Sequence, residues 1–276
     1  MQTTGLKRDT IDKFYTKPDV SKKCCDLFKQ NINVNPKLDV ILEPSAGNGS
    51  FIPFLKPLCE TCLFYDIEPE APLIVKQDYF EFNYNSLELP DILTKIHVIG
   101  NPPFGRQSSL AIKFIKKSAE FCDTISFILP SSFKKDSMQK YFPITFHLIY
   151  QCDIEPNAFT IDEKDIDVPC VFQIWEKRSN NRIQVPKLKP TLFDFVKRDE
   201  NPDISFRRVG VNAGKIETEL LQDKSIQSHY FIKFNETLDK TSIISKMKQI
   251  QYEKNNTVGP RSVSKQELIQ EFNKII

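Results

Sequence analysis

The chain has 276 residues, 40% hydrophobic and 27% charged, with a formal net charge of +2. That length buries a sizeable core in one large or two modest domains, and the composition excludes a fibrous or low-complexity chain. No apolar stretch reaches the length of a membrane span and MQTTGLKRDT has no apolar signal core, so an intracellular location, cytoplasmic or nuclear, is expected.

Apolar runs and turns alternate along the first part of the chain. DVILEPSAG (39–47) reads as a strand ending in a glycine turn, and SFIPFLKPL after it as a helix kept short by prolines. CLFYDIEP (62–69) is a second strand ending in acids, and KIHVIGNPPFG (95–105) a third running into a stiff loop. SLAIKFIKKSAEFC (109–122) has helical spacing of its apolar residues, and TISFILPSSF (124–133), FHLIYQCDI (146–154) and VPCVFQIWEK (168–177) read as further strands. Strands alternating with helices predict a mainly parallel, doubly wound α/β sheet over residues 1–178, with ligands bound beyond the carboxyl ends of its strands. The polar, proline-punctuated stretch 176–190 then predicts a boundary, with residues 179–276 as a smaller α+β region. Within it TSIISKMKQIQ is helix-like, and Ser264 with Glu267 forms a capping-box signal.

Charge divides along the same line. Residues 1–178 carry 21 Lys/Arg against 24 Asp/Glu, and residues 179–276 carry 17 against 12. The basic second part points to a polyanionic partner. The seven cysteines are odd in number and irregularly spaced, and Cys59-x-x-Cys62 has no second ligand pair. The three histidines, His97, His147 and His229, are scattered, so reduced, mostly buried thiols are expected and no metal site.

Four short stretches carry chemistry. EPSAGNGSF (43–51) places Gly47 and Gly49 in a turn after a strand, where a backbone can approach a ligand; it is neither a dinucleotide fingerprint nor a P-loop. Asp66 ends the next strand, where a carboxylate can accept from a ribose diol. QDYF (77–80) sets Asp78 beside Tyr79 and Phe80, an acceptor for an exocyclic amine next to two rings. In NPPF (101–104) two prolines stiffen the turn and remove two N–H donors, leaving it rich in acceptors around one amide side chain.

With DKFYTKPDV (12–20) ahead of them and LPSSF (129–133) behind, these pieces resemble the S-adenosylmethionine-dependent amino-methyltransferases that act on N6 of adenine, above all the DNA adenine methyltransferases. The resemblance covers about residues 10–178 and implies a Rossmann-like methyltransferase fold with S-adenosyl-L-methionine as cofactor. It implies that Asn101, Pro102, Pro103 and Phe104 form the catalytic segment, with Phe104 stacked on the target base. Phe14, Tyr15, Thr16 and Pro18 would then lie near the methionine end of the cofactor, Thr16 toward its carboxylate. Glu43, Ala46, Gly47 and Gly49 would line the methionine part, Asp66 would hold the ribose, and Asp78 with Tyr79 or Phe80 the adenine; Pro44, Phe51, Ile67 and Asn101 are further cofactor-binding candidates. Phe133 would face the target base, and Arg106, Lys134, Lys135, Arg207, Arg208 and Arg261 are candidates for phosphate contacts.

DNA is the expected partner, and a separate specificity subunit stays open. RNA adenine methylation, or a catalytically silent subunit of the same fold, are the alternatives. Phe104 argues against a protein-glutamine methyltransferase, which carries tyrosine at that place. Pro169-Cys170 lies in a late strand-like run, so Cys170 reads as core and not as the nucleophile of a C5-cytosine methyltransferase.

Overall fold

Nearly continuous apolar runs suit strands covered on both faces, and three of the predicted runs form the centre of one seven-stranded sheet. The computed structural model describes residues 14–87, 95–161, 164–184, 186–252 and 261–276, so MQTTGLKRDT, Asp12, Lys13 and Val185 of the stretches named above lie outside it. Contacts divide the chain into two compact units between Ile183 and Gln184.

The strands of the first unit are β1 (Tyr15–Thr16), β2 (Val40–Glu43), β3 (Thr61–Asp66), β4 (Val75–Lys76), β5 (Ile96–Gly100), β6 (Thr124–Pro130), β7 (Phe146–Asp153), β8 (Phe159–Ile161), β9 (Lys164–Ile166) and β10 (Cys170–Lys177). Its helices are α1 (Pro18–Asn31), α2 (Ile52–Leu55), α3 (Ser109–Ala119) and α4 (Asp136–Gln139). The sheet order is β4-β3-β2-β5-β6-β10-β7, with the first five strands parallel. Every residue of β2, β5 and β6 is buried. β10 inserts antiparallel between β6 and β7, an orientation that its apolar pattern does not encode. A separate three-stranded sheet, β1-β8-β9, is antiparallel throughout.

The fold is thus the mainly parallel α/β sheet expected from the alternation of elements. α1 escapes a reading of apolar period because its buried stripe is Val20, Ser21, Cys24, Cys25 and Phe28, mostly small residues. Its ends are nonetheless conventional, with Pro18 and Asp19 in the first turn and Lys29 in the last. All seven cysteines are free thiols, five buried and Cys62 and Cys152 partly so; Cys170 is a core residue. No helix among the described residues is long and apolar enough to cross a membrane.

Opposite the ligand edge, at the start of β5, the buried His97 ring meets Thr124 Oγ1 at 2.8 Å and Asp39 Oδ2 at 3.3 Å. Burial pulls the His97 pKa below its ordinary value, outweighing the Asp39 contact that raises it. Burial works against ionised Asp39 as well, but N–H bonds from Asn35 and Lys95 and the His97 ring leave its pKa lowered. As pH falls through about 6.5, the unfolded chain binds the His97 proton before the folded one does, so stability drops. The Asp39 contribution is lost further down, as pH falls through its folded pKa. The melting temperature is therefore expected to fall between pH 7 and 5.5, and His97→Asn to flatten part of that slope. A wild-type melting temperature constant over this window would refute the assignment.

The second unit is a four-stranded antiparallel sheet, order β11-β14-β12-β13, built from β11 (Phe193–Val196), β12 (Ile204–Arg207), β13 (Ile216–Glu217) and β14 (His229–Phe234). With α5 (Lys240–Met247) and α6 (Lys265–Asn273) it encloses its own core around Phe206, Ile232, Leu268 and Phe272. The predicted capping box opens α6: Glu267 N–H donates to Ser264 Oγ at 3.2 Å and Ser264 N–H to Glu267 Oε2 at 2.7 Å.

Candidate active site

Because β2, β3 and β5 are parallel, their carboxyl ends share one edge. The chain winds outward from β2 to β3 and β4, then resumes on the other side of β2 with β5. That reversal between β2 and β5 is where wound sheets leave a crevice. A cavity of about 280 Å³ lies there, with Asn101, Pro103, Pro44, Gly47, Asp66 and Asp78 on its wall. Gly100 makes the junction possible: its φ is +152°, and a Cβ would stand 3.1 Å from Glu43 Cγ.

The Asn101 amide is fixed by what it touches. Its Nδ2 donates to the Phe14 carbonyl and to Thr16 Oγ1, both at 3.1 Å. A main-chain carbonyl only accepts, so the nitrogen must lie on that side. The Oδ1 end is buried with no hydrogen-bond partner. Ser45 Oγ donates to the Asn101 main-chain oxygen at 3.2 Å, which ties the segment to the turn after β2. Phe104 lies off the wall: it is buried, 6.0 Å from the Phe14 ring, and its carbonyl accepts from Leu110 and Ala111 N–H. The ring expected on the base is thus covered by Phe14 here.

Asp66 joins the glycine turn to the end of β3. Its Oδ2 accepts from Gly47 N–H and its Oδ1 from Glu68 N–H, both at 2.8 Å. Gly47 and Asp66, nineteen residues apart in the chain, are therefore in direct contact. Gly47 needs the left-handed φ of +52° found here, and it faces Tyr15. Asp78 Oδ1 accepts from Phe80 N–H at 2.8 Å and holds Phe80 at the cavity. Phe80 is 40% and Ile67 53% exposed, two open apolar surfaces on one wall. Tyr79 also lines the cavity but is buried, stacked on Phe114 at 5.1 Å with its hydroxyl 2.8 Å from Ser118 Oγ. Tyr15 donates to the Glu70 carboxylate on the same wall.

Several expected residues fall behind the wall. Glu43 is almost wholly buried; burial first, then the Asp66 charge, pushes its carboxyl well up, and Oε2 has no partner. Ala46 donates to the Tyr65 carbonyl, Gly49 packs on Ile52, and Phe51 is core. Thr16 is buried and engaged by Asn101, and exposed Pro18 starts α1. Ser45, Glu68, Glu70, Gln77, Leu110 and Phe114 join the wall without having been singled out in the sequence. Of these only the acids had a signal, in the run YDIEPE (65–70).

The nucleic-acid candidates separate. Arg106 is exposed in the turn after Gly105. Phe133, expected toward the base, is 0% exposed here, and its carbonyl accepts from Gln173 Nε2, so its ring packs in the core. Lys134 pairs with Asp153 at 2.5 Å, while Lys135 lies in the short turn before α4. In the second unit the guanidinium of Arg207 donates to the Val209 carbonyl, that of Arg208 to Gln227 and that of Arg261 to Tyr252. Each thus spends at least one guanidinium nitrogen on a main-chain carbonyl.

Chemically the cavity is an acceptor site. Asp66, Glu68, Glu70 and Asp78 line it, and no Lys or Arg is on the described wall. It suits a ligand that carries positive charge and hydroxyl or amine donors, together with a flat apolar part.

No family model matches the chain, and no curated protein matches it. Among solved structures it is similar to a Pyrococcus horikoshii protein provisionally named an RNA methyltransferase, at 16% identity and a TM-score of 0.47 over 64% of this chain and 92% of that one. It is also similar to the 23S rRNA methyltransferase ErmE, at 12% identity and a TM-score of 0.42 over 63% of this chain and 73% of that one. A type I restriction-modification methyltransferase subunit from Streptococcus thermophilus matches at 15% identity and a TM-score of 0.44, over 63% of this chain and 47% of that one.

Proposed function

We propose that the chain is a methyltransferase that uses S-adenosyl-L-methionine to methylate the exocyclic N6 of adenine in DNA. The observation that carries this reading is the Asn101 amide, locked at its nitrogen with its oxygen buried and unpartnered on a cavity at the strand ends. An orphaned acceptor in a built site calls for a donor from outside the chain.

The residues present fit the cofactor. Asp66 and Asp78 each keep acceptor capacity for hydroxyl and amine donors, Ile67 and Phe80 offer apolar surface to a flat ring, and the acidic wall favours a sulfonium. When bound, S-adenosylmethionine would supply an electrophilic methyl group: its S–CH3 bond would break as the N–CH3 bond forms, S-adenosylhomocysteine would leave, and the surplus N6 proton would pass to water. The chain must supply the nucleophile's geometry. The N6 lone pair of adenine is delocalised into the ring. Asn101 Oδ1 would accept one amine hydrogen and, as the resemblance implies, the carbonyl of Pro102, a buried residue next to the wall, the other, which would draw them from the ring plane and localise the pair. Positioning then carries the rate. An adenine inside a duplex is out of reach, so the target is flipped or already unpaired.

The test is transfer of a labelled methyl group to DNA, RNA and protein, with the product nucleoside identified. N6-methyladenine in DNA is expected. Label in RNA alone would move the substrate. Cofactor binding by calorimetry without transfer to any of them would make the chain a silent subunit. Phe80→Ala is expected to weaken cofactor binding about tenfold, near 1.4 kcal/mol, because the flat ring of the ligand no longer has an aromatic face to pack on. An unchanged Kd would remove Phe80 from the site.

A further inference from the structure

β11 stops short of its partner. It ends at Val196, paired with Phe231, whereas β14 begins two residues earlier, at His229. His229 and Tyr230 therefore pair only on the β12 side, and a notch of about 490 Å³ opens at that end of the sheet. Lys197, Arg198 and Lys265 line it against a single carboxylate, Asp199. Its remaining wall is largely aromatic, including Phe195 and Tyr230, with Ile226 67% exposed at the margin.

Lys265 Nζ stands 4.4 Å from the centroid of the Phe195 ring and 5.6 Å from that of Tyr230. The Lys197 side chain is 80% exposed and only 4.0 Å from its nearest acid, Glu200. Arg198 spends one nitrogen on the Lys224 carbonyl at 3.3 Å. Three cations beside an aromatic wall, Lys265 over its rings, outnumber the one acid that lines the notch and complement an anion that also carries flat rings. Single-stranded nucleic acid has both, phosphates for the cations and bases for the rings.

We infer that the notch at the open end of β11 holds the phosphate backbone of an unpaired nucleic-acid segment, with Lys197, Arg198 and Lys265 as the phosphate contacts. The choice of ligand class rests on the function proposed above. An enzyme that takes an adenine out of its stack works on unpaired strands, and phosphate contacts of this kind bind such strands without reading sequence.

The experiment is fluorescence anisotropy of a labelled single-stranded DNA 12-mer with the full chain over a salt series, for wild type and Arg198→Gln/Lys265→Gln. The double variant is expected to bind about tenfold more weakly, and its log K against log salt slope to be shallower by about 1.4, near 0.7 for each phosphate that is no longer neutralised. Lys265→Arg, which keeps the charge, should bind like wild type and guards against a folding defect. Unchanged affinity and slope in the double variant would overturn the inference. So would displacement of the DNA by polyglutamate at equal charge concentration, since an acidic peptide would then be the better occupant. The two readings fail separately. Loss of binding in the double variant without methyl transfer by wild type would keep the notch and remove the activity. Transfer with unaltered binding would do the reverse.

Discussion

Asn101→Ala is expected to lower kcat for methyl transfer by at least roughly 10²–10³-fold, the scale seen when one preorganised polar contact to the reacting group is removed. The cofactor Kd should stay within about twofold, because the wall residues that fit a nucleoside, Asp66, Asp78, Ile67 and Phe80, are untouched. The asymmetry is the informative part. If Asn101 served only to hold the turn, both parameters would move together with the melting temperature. If its Oδ1 receives the amine hydrogen, the loss falls on the chemical step. Steady-state kinetics beside calorimetry separates the two, and an Asn101→Ala enzyme within tenfold of wild type would end the proposal.

Thr16→Val should produce the second large effect. Valine matches threonine in shape, so the buried site stays filled, but the acceptor for Asn101 Nδ2 is gone. One amide hydrogen then lacks its protein partner, a penalty of about 1–3 kcal/mol unless the amide turns away. Either outcome misaims Oδ1. We expect kcat to drop roughly 5- to 150-fold, the rate equivalent of that penalty, with KM for the nucleic acid little changed. Thr16→Ser restores the acceptor and should recover most of the rate. If Thr16→Val raised the cofactor Kd instead, with kcat intact, the resemblance-based role near the cofactor carboxylate would be the right one.

The wound sheet was legible because its evidence is local: apolar runs, glycine and proline turns, and acids at strand ends. Asp66 and Gly47 could be placed together because the strand-turn-strand spacing itself brings them to one edge. Side-chain direction was not legible. Phe133 sits in a strand-end segment like Phe104 does, yet the Gln173 contact from β10 seals it in the core, and β10 arrives forty residues later in the chain. Thr16 looked like a ligand contact and turned out to hold Asn101, a partner eighty-five residues away. The arginines of the second unit were conspicuous by charge, but their main-chain carbonyl partners could not be read from composition.

β1 has only two residues and forms the outer strand of its three-stranded sheet, yet Phe14 and Thr16, which hold the Asn101 nitrogen, belong to it or adjoin it. A short edge strand is among the first pieces of a protein to open, whereas β2, β5 and β6 lie at the buried centre. Heat or mild denaturant would thus disarm the molecule well before melting it, leaving an intact scaffold whose reactive amide is free to rotate.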